Sequence, residues 1–208
     1  MGDLRGAVLA AGRGTRLQPL TFRRPKPLVP LGAGLLIERP LTALSCLGVP
    51  RVGVNAHHLG AQVAPGLAHR PEVTAVVHEA TLQGTGGGIR GIAAALGGRE
   101  TLVAANGDAL FDFPLAPVLA AHRARGALGT LALRRVPEGS PFARVGVDAQ
   151  GRVHRIAEVA GPDADGHALT FGAFTGVQFM EPELVAMLPA EGECDVLRTA
   201  WRDGLAAR

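Results

Sequence analysis

Residues 6–30 read GAVLAAGRGTRLQPLTFRRPKPLVP. The first six are apolar or glycine and read as a buried strand. The chain then enters a loop with glycine at 12 and 14 and collects five cations, Arg13, Arg16, Arg23, Arg24 and Lys26, among four prolines. Open α/β folds place ligands beyond the carboxyl ends of their strands, and a strand running into a glycine loop suits such a place. Two common versions of that loop do not fit. The dinucleotide fingerprint needs a third glycine where this chain has Leu17, and an acid at the end of the next strand, where it has Asn55. The phosphate-binding loop of nucleoside triphosphatases needs a Lys-Ser or Lys-Thr pair that does not follow these glycines.

What the loop can do is bring backbone amides close to phosphate oxygens, with Arg13, Arg16 and Lys26 at hand to neutralise them. Prolines 25, 27 and 30 are expected to hold the returning chain extended and so fix the direction of Lys26. Of 21 basic residues, Lys26 alone is not arginine. A compact ammonium differs chemically from a planar guanidinium fork.

Outward from this segment, apolar runs alternate with helix-like stretches. The spacing predicts a helix over 35–47, a strand over 51–55, a short helix over 57–67 interrupted by Pro65, and a strand over 73–78. It continues with a helix over 88–96, a strand over 101–105, a helix over 114–125 and a strand over 126–134. A hairpin follows (144–148 and 152–158), then a surface loop at 161–166, a strand over 173–180 and two closing helices. The fold class expected is α/β, a three-layer α/β/α sandwich with a mainly parallel, Rossmann-like central sheet and a small β-hairpin extension. No repeat or low-complexity linker divides the chain. One domain over 1–208 is expected, with halves at 1–125 and 126–208.

Composition sets the outer limits. At 208 residues with 47% hydrophobic and 19% charged side chains, the chain belongs among folded domains able to bury a core. Its net charge of +3 is spread along the sequence, and seven Phe, one Trp and no Tyr give no aromatic platform for nucleic acid. Cys46 and Cys194 are too far apart for ligand spacing, so no zinc site or disulfide framework is expected. The opening apolar run is too short for a signal-peptide core, and no later run approaches a membrane span. No nucleic-acid or membrane partner is expected, and cytoplasm is the expected compartment; oligomeric state is left open.

A second strand end also carries chemistry: Asn106-Gly107-Asp108 closes the strand over 101–105. Preorganised cations around a polyphosphate suit phosphoryl or nucleotidyl transfer, which depends on positioning and charge stabilisation. Asn55, His57 and His58 follow the second strand, and read as a helix-capping Asn and two surface or packing histidines.

The ordered set Leu9-Ala10-Ala11-Gly12-Arg13-Gly14-Thr15-Arg16, Pro19-Leu20-Thr21 and Pro25-Lys26-Pro27-Leu28 resembles the signature of the sugar-1-phosphate nucleotidyltransferases. LQGTGGGI (82–89) is similar to the family's second glycine loop, NGD (106–108) to its metal-binding turn, and FTGVQFMEPELV (174–185) to its late strand and helix. The triple Gly86-Gly87-Gly88 and Asn106 look most like the compact branch of N-acetylmuramate-1-phosphate uridylyltransferases, with mannose-1-phosphate guanylyltransferases next. The resemblance implies an NTP (UTP ahead of GTP) and a sugar 1-phosphate as substrates, Mg2+ as cofactor, and nucleotide sugar and pyrophosphate as products. It implies Arg16, Lys26 and Asp108 as catalytic residues. Arg16 would hold the β- and γ-phosphates, Lys26 the attacked α-phosphate and the incoming sugar phosphate, and Asp108 the metal. The nucleotide would lie on Leu9, Ala10, Ala11, Gly12, Gly14 and Thr15, and on Gln83, Gly84, Gly87 and Asn106. Gly146, Glu158 and Thr175 would meet the sugar phosphate.

The pattern breaks in two places. Many relatives have Glu-Lys-Pro where this chain has Glu158-Val159-Ala160, so a second phosphate-binding lysine is missing. The family's late W-x-D-x-G-T, source of a second metal carboxylate, has no clear counterpart. WRDGL (201–205) sits in a run of helical spacing, and Asp112 is the substitute candidate. A sequence shortened at its end, a metal held by fewer protein ligands, and impaired catalysis stay open. So do two rival classes: a nucleotide-sugar-binding regulator that does not turn over, and a phosphocholine cytidylyltransferase.

Overall fold

Strand β1 (Leu4–Leu9) is apolar along most of its length and covered on both faces. The structure, a computed structural model, describes residues 4–137, 139–142 and 144–207. After β1 come three single turns of 3-10 helix, the ribbon β2 (Pro30–Leu31) and β3 (Gly34–Leu35), helix α1 (Glu38–Cys46), β4 (Val52–Ala56), α2 (Val63–Gly66) and β5 (Val73–His78). Then follow α3 (Gly84–Leu96), β6 (Thr101–Asn106), α4 (Ala116–Ala124) and β7 (Gly129–Arg135). The second half adds β8 (Val145–Val147), β9 (Val153–Ile156), β10 (Val159–Ala160), β11 (Thr170–Met180), α5 (Pro182–Ala186), a π-helical turn (Leu197–Trp201) and α6 (Arg202–Ala206).

The main sheet has nine strands in the order β10-β9-β8-β11-β6-β1-β4-β5, with β7 also paired to β11. β1 lies parallel to β4 and β6, and β4 parallel to β5. The chain therefore moves from β1 out through β4 to β5, then crosses back to place β6 on the other side of β1. That reversal makes the β1/β6 boundary a topological switch point, where the loops at the strand ends diverge and leave a crevice.

Side chains alternate across the sheet as period-2 strands require. Val8, Val54, Val103, Ala105 and Phe179 face one core with Leu41 and Leu44 of α1 and Leu119 of α4. Ala7, Leu102, Ala104 and Met180 face the other, with Ile89 and Ile92 of α3, Leu184 of α5 and Trp201. Helices thus cover both faces, as the sequence predicts.

The parallel pairing does not extend as far as expected. It is confined to β5, β4, β1 and β6, while β11 runs antiparallel to β6, β7 and β8, so the sheet is mixed. The eleven-residue β11 returns beside β6 in the opposite sense, and the short link between β8 and β9 permits only antiparallel pairing. Local limits shift too. Leu35 pairs with Pro30 in the β2–β3 ribbon, so the first helix begins at Glu38 and not at residue 35. α3 begins at Gly84, four residues earlier than its glycine content suggests. The stretch 57–67 is a 3-10 turn followed by one short α-turn. No helix among the described residues is long and apolar enough to cross a membrane.

α3 is held at its carboxyl end by two arginines. Arg5 donates to the carbonyls of Ala93 and Gly97 at 3.0 and 2.7 Å, and Arg51 to that of Leu96 at 2.7 Å. They satisfy orphan carbonyls and complement the negative end of the helix. Its amino end is thereby fixed at the crevice.

The β8–β9 hairpin has its own polar strut. Buried His154 contacts Asp148 through Nε2 and Asp163 through Nδ1, both at 3.0 Å. Asp148, His154 and His167 present ligand atoms within 4.8 Å of one another. The two rings are stacked with centroids 4.0 Å apart, however, so their in-plane lone pairs do not converge, and both His154 nitrogens are already engaged. The hydrogen bond to Asp148, seconded by Asp163, raises the His154 pKa. Asp148 is pulled down to about 2, first by His154 and then by the Arg152 amide. The charged imidazole contributes stability that is whole below the ordinary histidine value of about 6.5 and is lost as pH rises through the raised value. The Asp148 carboxylate contributes stability present above about 3.9 and lost as pH falls towards 2. The thermal midpoint is expected to fall as pH rises from about 6 through the raised His154 value, and His154→Gln to flatten that slope. A wild-type midpoint constant across this range contradicts the strut.

Candidate active site

A cavity of about 420 Å3 opens in the crevice. Its floor is the end of β1 and the loop after it, residues 9–17, and its walls include Lys26, Asn55, Glu79, Thr85, Asn106 and Asp108. Each wall residue stands at or just beyond an element end. Asn55 is the penultimate residue of β4, Glu79 follows β5, Thr85 is the second residue of α3, and Asn106-Gly107-Asp108 leaves β6.

The first glycine loop is shaped by its own sequence. Gly14 has φ +66°, a left-handed conformation, and an added Cβ would stand 2.8 Å from Thr21 Cγ2 and 3.1 Å from Lys26 Cβ. Thr21, almost wholly buried, donates to the Gly14 carbonyl at 2.9 Å. His58 Nε2 donates to the Thr21 carbonyl at 2.7 Å. The loop is thus folded down onto the stem of Lys26.

Lys26 is aimed differently from the expectation. The chain is extended at Pro25, but Lys26–Leu28 forms a 3-10 turn, with Leu28 N–H bonding Pro25 O at 2.9 Å and Val29 N–H bonding Lys26 O at 3.1 Å. Proline at the second position of this turn needs no amide hydrogen, so the turn forms where a fully extended segment was expected. Its ammonium pairs directly with the Asp108 carboxylate. Asp108 is brought there by Gly107, whose N–H bonds the Leu9 carbonyl at 2.8 Å, clamping the end of β6 to the end of β1. Arg13 and Arg16 also line the cavity, and neither has a carboxylate partner among the described residues. They present unpaired positive charge to whatever enters.

The second glycine loop meets a late segment of chain. Gly84 has φ +68°, and a Cβ there would fall 2.5 Å from the Cys194 carbonyl oxygen; one at Gly86 would meet Cys194 Sγ at 2.6 Å. Gly86 N–H bonds Cys194 O at 2.8 Å and Cys194 N–H bonds Gln83 O at 3.0 Å. Arg90 pins the same segment through the carbonyls of Pro189 and Gly192. Gly84 and Gly86 therefore lie inside the helix start because the approach of the Cys194 segment leaves no room for side chains. Gly84→Ala is expected to cost about 1–3 kcal/mol of stability from left-handed strain and overpacking, read by chemical denaturation; a loss below about 0.5 kcal/mol contradicts this packing.

A second cavity, of about 880 Å3, is lined by Asp112, Arg144, Glu158, Thr175, Asp195 and Arg198 among others. Thr85, from the first cavity, donates to Asp195 of the second at 3.2 Å, so the two spaces meet there. Thr175 sits at the β11 register shift and donates to the Ala132 carbonyl at 2.9 Å. Glu158 lies 4.0 Å from Arg198.

The structure brings Leu9, Ala10, Ala11, Gly12, Gly14, Thr15, Arg16, Lys26, Gly84, Asn106 and Asp108 to one cavity. Gln83 and Gly87 are not on its lining. The Gln83 amide is turned to Thr81 and Arg90 instead. Gly146 is buried within β8 and lines neither cavity, and Asp112 lines the second, apart from Asp108. Trp201 lies in the π-helical turn and Asp203 in α6, paired to Arg202, so WRDGL forms no strand. Asn55 is no helix cap: it is buried and hydrogen-bonded on both sides.

Asn55, Glu79, Thr85, Glu193 and Asp195 were missing from the residues proposed from sequence. For Asn55 and Glu79 the signal was present, since each polar side chain closes a strand of the parallel set. Asp195 carries a weaker one. Its Oδ1 accepts from the amides of Leu197 and Arg198, which is N-cap geometry before a helical run.

A family model described as Nucleotidyl transferase matches residues 5–165. Among curated proteins, a UTP--glucose-1-phosphate uridylyltransferase of Synechocystis sp. is 29% identical over 93% of this chain and 53% of its own length. A mannose-1-phosphate guanylyltransferase of Mycobacterium tuberculosis is 30% identical over 94% of this chain and 59% of its own. The chain thus spans between half and three fifths of these relatives. Among solved structures, a UDP-glucose pyrophosphorylase complexed with UDP-glucose superposes with TM-score 0.72 at 18% identity, covering 100% of this chain and 88% of that one. HddC from Yersinia pseudotuberculosis complexed with GMP-PN gives TM-score 0.70 at 18% identity, covering 92% and 82%. These two share the fold.

Proposed function

Because the chain belongs to the nucleotidyl transferase family, we propose that it transfers a nucleotidyl group from an NTP to a sugar 1-phosphate. UTP is placed first as donor and GTP second. The observation that carries this reading is the Lys26–Asp108 pair on the wall of a cavity floored by the first glycine loop, at the β1/β6 switch point.

The acceptor phosphate is already an anionic nucleophile, so the reaction needs no serine or cysteine triad. An acceptor oxygen attacks the α-phosphorus of the NTP, the bond from that phosphorus to the β-bridging oxygen breaks, and pyrophosphate leaves with the electron pair. The barrier is the meeting of two anions. The amides of Gly12 and Gly14 and the guanidinium of Arg16 hold the triphosphate tail and take the charge that grows on pyrophosphate. Lys26, released from Asp108, stands between the α-phosphate and the acceptor. The acceptor lies on the side of the second cavity, across the Thr85–Asp195 hydrogen bond.

The residues fit a divalent ion. Asp108 is 41% exposed on the cavity wall and takes a cation, the Lys26 ammonium, on one oxygen. Mg2+ is usually bound through one or two carboxylates with phosphate oxygens and water completing its shell. Asp108 would hold it, with water and phosphate oxygens completing its shell. When bound, Mg2+ neutralises phosphate charge and polarises the α-phosphoryl group.

Pyrophosphate release from each NTP with a panel of sugar 1-phosphates and Mg2+ tests this reading. Release that requires one sugar 1-phosphate, with UTP or GTP as donor, is expected. NTP binding without release overturns it in favour of a regulator, and release with CTP and phosphocholine in favour of a cytidylyltransferase.

A further inference from the structure

One line of hydrogen bonds crosses the cavity wall and joins its two glycine loops. Ala10 N–H, in the first loop, donates to Asn55 Oδ1 at 2.6 Å. Asn55 Nδ2 donates to Glu79 Oε1 at 2.7 Å, and Glu79 Oε2 accepts the N–H of Gln83, in the second loop, at 2.9 Å. Because the Ala10 amide can only donate, the orientation of the Asn55 amide follows from the network. Asn55 is 3% exposed, and its two polar groups each have a partner. Glu79 is itself held by its backbone: its N–H bonds the Ala56 carbonyl at 2.8 Å, and its carbonyl accepts from His57 Nδ1 at 2.8 Å.

The third glycine of the triple has its place in this line. A Cβ at Gly88 would collide with Asn55 Nδ2 and stand 3.0 Å from Leu9 Cδ2 and 3.3 Å from Glu79 Oε1. α3 therefore closes over the brace only because position 88 has no side chain. Both Asn55 and Glu79 border the cavity between the loops.

We infer that Asn55 and Glu79 are positioning residues that set the separation of the two glycine loops and, through it, the selectivity of the site among nucleobases. The inference rests on the nucleotide reading above. A base lying between two backbone segments is told apart by donors and acceptors at fixed spacing, and a displacement of a fraction of an ångström is enough to lose them. A brace satisfied at every atom holds that spacing, whereas one mismatched atom in it leaves a buried polar group unpaired.

The chemistry supplies its own test, because exchanging the two groups rebuilds the line. Asn55→Asp alone sets a carboxylate against the Glu79 carboxylate. Glu79→Gln alone points an NH2 group at either the Asn55 NH2 or the Gln83 N–H, donor against donor. In the double variant the new carboxylate accepts from Ala10 and from the new amide, whose oxygen accepts from Gln83, so every bond returns with the charge unchanged. Gly88→Ala displaces the brace sterically without altering a polar group, at a helical position where alanine is well tolerated by the backbone. Each variant is assayed for kcat/KM with all four NTPs, together with its thermal midpoint. The ratio between preferred and next NTP does not depend on the fraction folded.

That ratio is expected to shrink about tenfold in Asn55→Asp, Glu79→Gln and Gly88→Ala, through KM more than kcat, and to recover to within about threefold in the double variant. If a single variant does not fold, Gly88→Ala against the double variant carries the comparison. Undiminished selectivity in the single variants and Gly88→Ala overturns the inference, as does a folded double variant no more selective than the worse single. If the wild-type chain binds NTPs without turnover, the same ratios are read as Kd values by calorimetry, which separates failure of the enzyme reading from failure of the brace. A wild-type chain that binds no NTP overturns both.

Discussion

Replacing Lys26 with alanine is expected to lower kcat by about 10²-fold or more while leaving the fold intact. The charge lost is the ammonium proposed to stand between the attacked α-phosphate and the acceptor. Arg13 and Arg16 remain in Lys26→Ala, but they belong to the loop proposed to hold the triphosphate tail, so NTP binding should weaken less than turnover. The fold should be indifferent, because the pair with Asp108 joins two partly exposed side chains and such pairs contribute about 0–1 kcal/mol. Lys26→Arg should not rescue. Its stem passes against Gly14, where there is no room for a displaced loop, and a planar fork cannot occupy the place of a compact ammonium. Steady-state kinetics with a saturating acceptor reads the effect, and a kcat within threefold of wild type would remove Lys26 from the proposed chemistry.

Asp108→Asn is expected to cost about as much, about 10²-fold in kcat, with a second signature that Lys26→Ala lacks. The substitution keeps shape and removes only charge. The Mg2+ concentration for half-maximal rate should therefore rise about tenfold or more, because the proposed site loses the carboxylate assigned to the ion. Lys26→Ala should leave that concentration near wild type or lower it, since Asp108 is then free of its competing ammonium. A magnesium titration of the two variants side by side separates the roles. Identical magnesium dependence in wild type and Asp108→Asn would contradict the placement of the ion at Asp108.

The strand and helix order was readable because it follows from hydrophobic period, and the strand 73–78 matches β5 residue for residue. Direction was not readable for the second half. The apolar run of β11 has the same appearance whether it joins a sheet parallel or antiparallel, and only its position between β6 and β8 decides. The start of α3 was missed for a related reason. Glycines at 84, 86, 87 and 88 disfavour a helix on local grounds, and at 84, 86 and 88 it is the Cys194 segment and the Asn55 side chain, both distant in sequence, that leave no room for a side chain. The first glycine loop and Asp108 could be read locally, since each follows its own strand directly. Asn55 could not be assigned a role from its neighbours, because its partners Ala10 and Glu79 lie 45 and 24 residues away.

The most direct test of where the chemistry occurs is a backbone-amide NMR titration of the chain with UTP and with GTP, in the presence of Mg2+. Shifts should concentrate at residues 10–16, 82–86 and 106–108, the three stretches that converge at the β1/β6 crevice. Shifts absent from all three and gathered elsewhere, for example around the His154 strut, would contradict the location of the site.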